Sequence, residues 1–456
     1  MTTEARDISP RTILAWTLAI IVWLSAPVRA QTLGAYDAAL TETSISGISS
    51  GAYMAVQFAT AWSSFVKGVG VIAGGPYGCS GGSAATALST CMDGQPAANM
   101  SALSKLPDRL AAKGQIDSPT HIATQKIYLF SGYNDAVVNR SVTDWLQALY
   151  EKRLAGHAGN LFYQTAIGAG HAQVTLDFGG ACSENGGDYI NRCHYDQAGI
   201  LLQHIYGALN PPNRGTLIGT LISFDQGAYT APAKPADESM GAKGFLFVPA
   251  DCAAGAACRV HVALHGCKQS YDTIGDAFVR HAGYNEWADT NHIVVLYPQT
   301  TPSNGIAPFF GITNPDGCWD WWGYLDPDPT TTPRFLTKTG PQIAAFKRMI
   351  DRLTSAAKPP ERATAPAAQT LVATDASDTA IALAWTRVPD AQAYEVFRSA
   401  PGDAATVNIA TVTGLSFGDS GLKPASTYSY QIRPVLSFGP GPLTSPVMQR
   451  TRTSPP

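Results

Sequence analysis

Residues 43–62 limit the possible folds of this chain more than any other stretch. They place the pentapeptide G-x-S-x-G between a β-type run and a long apolar helical run. Gly47 and Gly51 lie two positions on either side of Ser49. A turn this sharp strains the serine backbone and leaves no room for side chains beside it, so glycine is needed there. The order of strand, tight turn and buried helix predicts a nucleophile elbow with Ser49 as the nucleophile.

Two other pentapeptides match the pattern but lack this context. One is centred on Ser80, which follows a strand-like run only after Pro76 and Tyr77 and is therefore expected on a loop. The other is centred on Ser416, in a β-rich tail with no helix behind it. The pattern alone is weak evidence, because glycine and serine are common residues. The flanking strand and helix favour Ser49 over a purely structural serine.

The composition argues against nucleic acid as a partner. Charged residues make up 14% of the chain and the formal net charge is -3, whereas about 25% of residues are charged in an average protein. No basic stripe is present that could neutralise phosphates. The sparse charge suits an uncharged or apolar substrate.

Residues 1–30 are typical of a signal peptide. Arg6 and Arg11 precede an apolar run at 12–24, and small residues end at Ala30. A run this short is more typical of an export signal than of a membrane span, although an uncleaved anchor is the alternative. We expect a secreted protein, extracellular or periplasmic, that does not contact the membrane after cleavage.

Eight cysteines fit such a compartment, because disulfides persist in oxidising surroundings. Spacing does not fix their connectivity, so a nearest-neighbour scheme is only a prediction. It pairs three sequence-near couples and leaves Cys267 and Cys318: Cys79 with Cys91, Cys182 with Cys193, and Cys252 with Cys258. Metal binding is the alternative, but the sequence has no C-x-x-C and no tight Cys/His cluster. We expect disulfides, no metal ion and no cofactor.

Candidate acid and base residues follow two later strand-like runs. Asp135 comes after the run at 126–130, and His171 comes after the run at 160–165. Functional groups project from the carboxyl ends of strands in open parallel sheets. Together with Ser49 they occur in the Ser, Asp, His order of α/β-hydrolases. The serine needs an imidazole to take its proton, and the imidazole needs a carboxylate to orient it.

Other assignments stay open at this point. Asp135 could only cap a turn, in which case Asp144 or Asp177 could be the acid. His157 could be the base. Placement directly after a strand favours Asp135 and His171.

The strand-like run at 259–264 ends in His265-Gly266, as an oxyanion-hole loop does. In an ordinary α/β-hydrolase that loop precedes the nucleophile, but here it follows the candidate histidine. The helical run at 341–356 looks like the one that leads into the nucleophile strand, yet a linker follows it. A circular permutation explains both observations, since chain ends that lie close together tolerate one.

Five stretches resemble the extracellular poly(3-hydroxybutyrate) depolymerases whose hydrolase domain is circularly permuted. They span nearly all of residues 31–357 and read SGISSGAYMA, SGYNDAVV, GAGHAQ, RVHVALHGCKQS and NPDGCWDWWGY. The resemblance implies a triad of Ser49, Asp135 and His171. It implies an oxyanion hole formed by the backbone N–H groups of Ser50 and Cys267. It also implies that Trp319 lines the substrate crevice and that Cys267 bridges Cys318.

An aromatic cluster accompanies the last of these stretches: Phe309, Phe310, Trp319, Trp321, Trp322 and Tyr324. For Trp321 and Trp322, local packing is an equally good interpretation. Aromatic walls with few polar groups suit a polyester, which offers methyl and methylene groups and ester carbonyls but no charge.

Residues 358–368 form a Pro/Ala linker, and alternating β-type runs fill residues 369–456. Trp385 and the segment around Tyr428 resemble the buried tryptophan and the tyrosine corner of fibronectin type III domains. The predicted fold class is therefore α/β: a circularly permuted α/β-hydrolase domain at 31–357, followed by a small all-β fibronectin type III-like sandwich.

The resemblance implies a secreted serine esterase that cleaves poly(3-hydroxybutyrate) or its oligomers. One alternative is a feruloyl or acetyl esterase that acts on plant polysaccharide. Another is a non-catalytic adhesion or polymer-binding protein whose working part is the fibronectin-like tail.

Overall fold

A computed structural model describes residues 32–154, 156–303, 314–331, 333–356, 370–388, 391–400, 402–403, 406–436, 439–440 and 443–454. The predicted signal peptide at 1–30, the predicted linker at 358–368, and Phe309 and Phe310 lie outside the described residues.

A large mixed sheet forms the centre of the first part of the chain. The strands described up to residue 356 are β1 (Thr43–Ile48), β2 (Val66–Ile72), β3 (Lys126–Phe130), β4 (Leu161–Gln164), β5 (Gln173–Thr175), β6 (Gly180–Ala181), β7 (Ile190–Arg192), β8 (Thr220–Asp225), β9 (Lys243–Val248), β10 (Arg259–Leu264) and β11 (Ile293–Tyr297). Eight of them form one sheet in the order β4-β3-β2-β1-β10-β11-β9-β8. The strands from β4 to β11 in that order are parallel, and β9 and β8 continue it antiparallel. A small separate sheet has the order β5-β7-β6.

The α-helices described in this part are α1 (Ser50–Ala61), α2 (Ala84–Leu88), α3 (Met100–Ala112), α4 (Arg140–Arg153), α5 (Gln197–Tyr206), α6 (Gly227–Thr230), α7 (Ala250–Ala253), α8 (Tyr271–Ile274), α9 (Ala277–His281), α10 (Asn285–Ala288) and α11 (Pro341–Thr354). Every residue of α1 is buried, as expected for a helix that is apolar on all sides. Helix α11 instead buries one stripe, which includes Ile343, Phe346 and Ile350. In the part of the chain that is described, no helix is long and apolar enough to span a bilayer.

The sheet order reveals the circular permutation. Strand β1, which leads to Ser49, lies between β2 and β10, although β10 comes much later in the chain. The backbone N–H groups of Tyr36 and Ala38 donate to the carbonyl oxygen of Leu353, at 3.0 and 3.3 Å. The start of the described chain therefore meets the end of α11, where an unpermuted chain would run on into the nucleophile strand. The predicted α/β-hydrolase fold class is confirmed.

The C-terminal part consists of two antiparallel sheets. Its strands are β12 (Leu371–Ala376), β13 (Ala380–Trp385), β14 (Ala391–Ser399), β15 (Val407–Val412), β16 (Ser416–Ser420), β17 (Thr427–Leu436), β18 (Gly439–Pro440) and β19 (Val447–Arg450). One sheet has the order β12-β13-β16, and the other has the order β15-β14-β17-β18 with β19 also on β17. Trp385 is buried in the core of this part. The Tyr428 hydroxyl accepts a hydrogen bond from the N–H of Lys423 at 2.9 Å, as in a tyrosine corner. This architecture fits a fibronectin type III-like domain.

All eight cysteines form disulfides. The pairs follow the nearest-neighbour scheme and the bridge that the resemblance implied: Cys79–Cys91, Cys182–Cys193, Cys252–Cys258 and Cys267–Cys318.

Candidate active site

Ser49 occupies a strained turn between β1 and α1. Its backbone angles are φ 56° and ψ -120°, which a residue other than glycine rarely adopts. The Ser49 N–H donates to the carbonyl of Ile72 at 2.9 Å. The Ser49 carbonyl accepts from the N–H groups of Ala52 and Tyr53 at 2.9 and 3.1 Å. These bonds hold the turn on both sides of the side chain, as an elbow requires.

The two glycines of the pentapeptide are required by close backbone contacts. A Cβ atom on Gly47 would lie 2.3 Å from the carbonyl oxygen of Gly51. A Cβ atom on Gly51 would lie 2.3 Å from the carbonyl oxygen of His265, at the end of β10. The elbow therefore packs directly on the start of the candidate oxyanion loop.

Asp135 and His171 form a buried hydrogen-bonded pair beyond the ends of neighbouring strands. Asp135 Oδ2 lies 2.9 Å from His171 Nδ1, and the two side chains are 2% and 6% exposed. Asp135 Oδ1 accepts from the N–H groups of Val137 and Val138 at 2.8 and 2.9 Å. Because Nδ1 is engaged, Nε2 is the ring nitrogen left for proton transfer.

Ser49 and His171 line the same cavity, together with Gly266 and Cys267. Among the described residues, no hydrogen bond joins the Ser49 hydroxyl to the His171 ring. Catalytic hydrogen bonds often tighten only when the substrate is bound. The structure thus brings the predicted nucleophile, base and oxyanion loop to one cavity, and it brings the acid to the base.

The alternative acid and base residues lie elsewhere. Asp144 accepts a hydrogen bond from the hydroxyl of Tyr163 at 2.9 Å on the surface. Asp177 and His157 are exposed. None of the three lines the cavity that Ser49 and His171 share.

The alternative serines also have other positions. Ser80 is buried, and its hydroxyl donates to the carbonyl of Trp321 at 3.1 Å. Ser416 is exposed at the start of β16. Neither serine lies at the junction of a strand and a helix.

A second serine–histidine cluster lies inside the sheet. His261 Nδ1 is 2.7 Å from Ser44 Oγ, and Nε2 is 2.8 Å from Ser46 Oγ. Burial lowers the pKa of His261 to about 3. All three side chains are fully buried, so a substrate cannot reach them, and the cluster joins β1 to β10.

The two backbone N–H groups predicted to bind the oxyanion have no protein acceptor among the described residues. Ser50 is the first residue of α1, so its N–H has no acceptor within the helix. In the described part of the chain, the N–H of Cys267 has no acceptor either. The loop around Cys267 is held by the disulfide to Cys318 and by a 2.7 Å hydrogen bond from the N–H of Lys268 to the carbonyl of Asp316.

The shared cavity measures about 560 Å³ and has a largely apolar wall. The side chains of this wall are Ala84, Ala87, Leu88, Met92, Val137, Trp321 and Trp322. The Trp321 ring stacks on Tyr53, with the ring centroids 4.2 Å apart. Trp321 and Trp322 thus belong to the crevice, which the sequence left undecided.

The structure corrects the expectation for Trp319. This side chain is 0% exposed and is not among the residues that line the cavity. Its indole N–H donates to the carbonyl of His265 at 2.9 Å, and its ring packs against Phe346 of α11. A buried indole needs an acceptor for its N–H, and the carbonyl beneath the oxyanion loop provides one. Trp319 therefore packs in the core behind the oxyanion loop and does not face the cavity.

Two side-chain amides near the site were missed in the sequence. Asn185 accepts a hydrogen bond from the N–H of His171 at 2.8 Å, and Gln269 accepts one from the N–H of Gly266 at 2.7 Å. Gln269 lies within one of the stretches that carry the family resemblance, but the sequence offers no sign of its partners.

Comparisons with known proteins agree with this geometry. No family model matches the chain. The chain is 40% identical over 412 residues to a poly(3-hydroxybutyrate) depolymerase of Delftia acidovorans. The aligned region covers 89% of this chain and 78% of that relative. It is 41% identical over 327 residues to a polyhydroxybutyrate depolymerase of Talaromyces funiculosus. That aligned region covers 68% of this chain and 90% of the relative.

Solved structures show the same similarity. The crystal structure of PHB depolymerase from Penicillium funiculosum matches with a TM-score of 0.63 and 35% sequence identity, over 71% of this chain and 99% of that one. The structure of a PHB depolymerase variant complexed with an R3HB trimer matches with the same values. Sequence identity and architecture thus lead to one conclusion: this chain belongs to the poly(3-hydroxybutyrate) depolymerase family.

Proposed function

We propose that this chain is a serine esterase that hydrolyses poly(3-hydroxybutyrate) or its oligomers, with Ser49, His171 and Asp135 as its catalytic triad. One observation carries the proposal: the strained Ser49 elbow and the His171 ring held by Asp135 line a single apolar cavity, in a chain of this family. The serine and the histidine thus share the space that an ester would fill.

The reaction follows from these positions. Ser49 Oγ attacks the ester carbonyl carbon while His171 Nε2 takes its proton. The carbonyl oxygen becomes an oxyanion, and the N–H groups of Ser50 and Cys267 stabilise it. The alcohol leaves with the proton from His171, and the acyl group stays on Ser49. Water then attacks the acyl-enzyme with His171 as the base, which releases the acid and restores Ser49. Asp135 orients the imidazole throughout.

The cavity wall supports an uncharged polyester as the substrate. Methyl and methylene groups of 3-hydroxybutyrate units pack well against Leu88, Met92 and Val137. The rings of Trp321 and Trp322 offer broad apolar faces for the same purpose.

The proposal extends to the domains and the compartment. Residues 1–30 act as a signal peptide, 31–357 as the catalytic domain, 358–368 as a linker and 369–456 as a fibronectin type III-like domain. The four disulfides support a secreted protein, because such bonds persist outside the cytosol.

Three serine variants test the triad assignment. Ser49→Ala should abolish hydrolysis of amorphous poly(3-hydroxybutyrate) granules and of short 3-hydroxybutyrate oligomers. Ser80→Ala and Ser416→Ala, taken from the other two pentapeptides, should retain it. An organophosphate probe should label the wild type at Ser49. Activity in Ser49→Ala would refute the assignment, and release of ferulate from a model ester without release of 3-hydroxybutyrate would refute the substrate.

A further inference from the structure

We infer that the disulfide-closed loop at 182–193 holds the acid–base pair in register with the oxyanion loop, and that it acts through the side-chain amides of Asn185 and Gln269. This inference rests on the proposed function. Both amides are positioning residues, because each acts through backbone groups that flank the reacting atoms.

Asn185 joins the loop that carries Asp135 to the loop that carries His171. Its Oδ1 atom accepts hydrogen bonds from the backbone N–H of Ala136 at 2.9 Å and from that of His171 at 2.8 Å. Its Nδ2 atom donates to the carbonyl of Asn134 at 3.0 Å. One side chain therefore binds the backbone on both sides of Asp135 and the backbone of the base itself.

Gln269 joins the same loop, 182–193, to the oxyanion loop. Its Oε1 atom accepts from the N–H of Gly266 at 2.7 Å, immediately before Cys267. Its Nε2 atom donates to the carbonyls of Asp188 and Tyr189, each at 2.9 Å. Gln269 is 1% exposed, so water cannot replace these three hydrogen bonds if the amide is removed. Its partners would be left as buried polar groups without a hydrogen bond, which destabilises the local structure.

Loop 182–193 is held by bonds within it and to neighbouring residues. The Cys182–Cys193 disulfide closes its ends, and the N–H of Gly170 donates to the carbonyl of Cys182 at 2.8 Å. The Tyr189 ring lies edge-on to the His171 ring, with centroids 6.0 Å apart, and Tyr189 also lines the cavity. Loop 182–193 thus contacts the base directly and is joined to the oxyanion loop through Gln269.

A connection between the base and the oxyanion loop would keep the two aligned during the reaction. The base and the oxyanion loop follow strands β4 and β10, which lie on opposite sides of the nucleophile strand. Proton transfer and oxyanion binding must be aligned at the same moment, and an error of about 1 Å can cost about a hundredfold in rate. Supporting hydrogen bonds of this kind keep reacting groups in place.

The test compares Gln269→Leu with the matched control Gln226→Leu. Gln226 is also fully buried and also forms three backbone hydrogen bonds, with Gly241 and Gln299, which do not line the cavity. Hydrolysis of p-nitrophenyl butyrate, inhibition by an alkyl boronic acid and the melting temperature are measured for each. Gln269→Leu should lower kcat about a hundredfold with little change in KM, and it should weaken boronate binding by a similar factor. Gln226→Leu should lower the melting temperature but keep kcat.

A double variant tests whether the two amides act through the same loop. Asn185→Ala alone should also lower kcat, and the loss in log kcat for Asn185→Ala/Gln269→Leu should be clearly smaller than the sum of the two single losses. If Gln269→Leu does not fold, Gln269→Glu is used instead. It keeps the volume and the acceptor for Gly266 but replaces the amide that donates to loop 182–193, and the same loss of kcat is expected.

Three results would overturn the inference: wild-type kcat in the folded Gln269 variants, a loss confined to KM, or fully additive losses in the double variant. Failure of the proposed function looks different. A wild-type enzyme that cleaves p-nitrophenyl butyrate but releases no 3-hydroxybutyrate from polymer or oligomer would refute the substrate alone.

Discussion

His171 Nδ1 lies 2.9 Å from Asp135 Oδ2, and the second oxygen of that carboxylate accepts two backbone N–H groups. The carboxylate is therefore held in place independently of the imidazole. Neither side chain has appreciable solvent exposure, so the imidazole is held in one orientation before a substrate binds.

Asp135→Asn should lower kcat about 10,000-fold with little effect on KM, because the amide no longer favours the required tautomer or stabilises the imidazolium. Steady-state kinetics on a soluble ester measure this. Asp144→Asn is the matched control, since Asp144 is a surface residue with a single tyrosine partner, and it should keep wild-type activity. The reverse result would make Asp144 the acid.

Gly51→Ala should prevent formation of an active fold, because the new Cβ atom would lie 2.3 Å from the His265 carbonyl oxygen. Relief of this clash would require the backbone of the elbow or of the oxyanion loop to move. Gly418 has the same place in the third pentapeptide, and a Cβ atom there would meet nothing within 4 Å. Gly418→Ala should leave activity and melting temperature near wild type. Equal behaviour of the two variants in activity assays and thermal melts would contradict the packing of the elbow.

Trp319→Ala should lower the free energy of unfolding by about 3–5 kcal/mol, because it removes a fully buried ring. Trp322→Ala should instead raise KM for 3-hydroxybutyrate oligomers about tenfold, or about 1.4 kcal/mol of binding, since Trp322 lines the crevice and is partly exposed. Urea unfolding and oligomer kinetics separate the two effects. If Trp319→Ala changed only KM, Trp319 would have to contact the substrate, contrary to its buried position.

Asp320 should make the stability of the protein depend on pH. Burial, together with the neighbouring charge of Asp326, raises the pKa of Asp320 to about 8. The folded state therefore binds more protons than the unfolded state between about pH 4 and pH 8, and the stability from Asp320 is lost as the pH rises through that window. Its Oδ1 atom accepts from the N–H groups of Gly323 and Tyr324 at 2.8 Å each.

Asp320→Asn removes this titration but keeps an acceptor for both N–H groups. The unfolding free energy of the variant minus that of the wild type should increase with pH, by at most about 1.4 kcal/mol per pH unit. Urea unfolding at pH 5, 6.5 and 8 with intact disulfides measures the difference. A difference that stays constant over this range would show that Asp320 is ionised in the folded protein.

Several features could be predicted from the sequence because their causes are local. The elbow depends on two glycines and a serine within five residues, and its steric demand does not require distant partners. Asp135 and His171 could be placed because each follows a strand, and parallel strands bring their carboxyl ends to one edge. The permutation was visible in the order of these segments along the chain. Three of the four disulfides join cysteines that are close in sequence.

Other features depended on contacts between residues that are far apart in the chain. Trp319 and Trp321 are two positions apart, yet one faces the His265 carbonyl and the other stacks on Tyr53. Asn185 and Gln269 make their contacts only because loop 182–193, which follows β6, meets residues that are distant in the chain, such as the loop after β10. Local sequence sets how a segment bends, but the direction of a side chain depends on which distant surface packs against it.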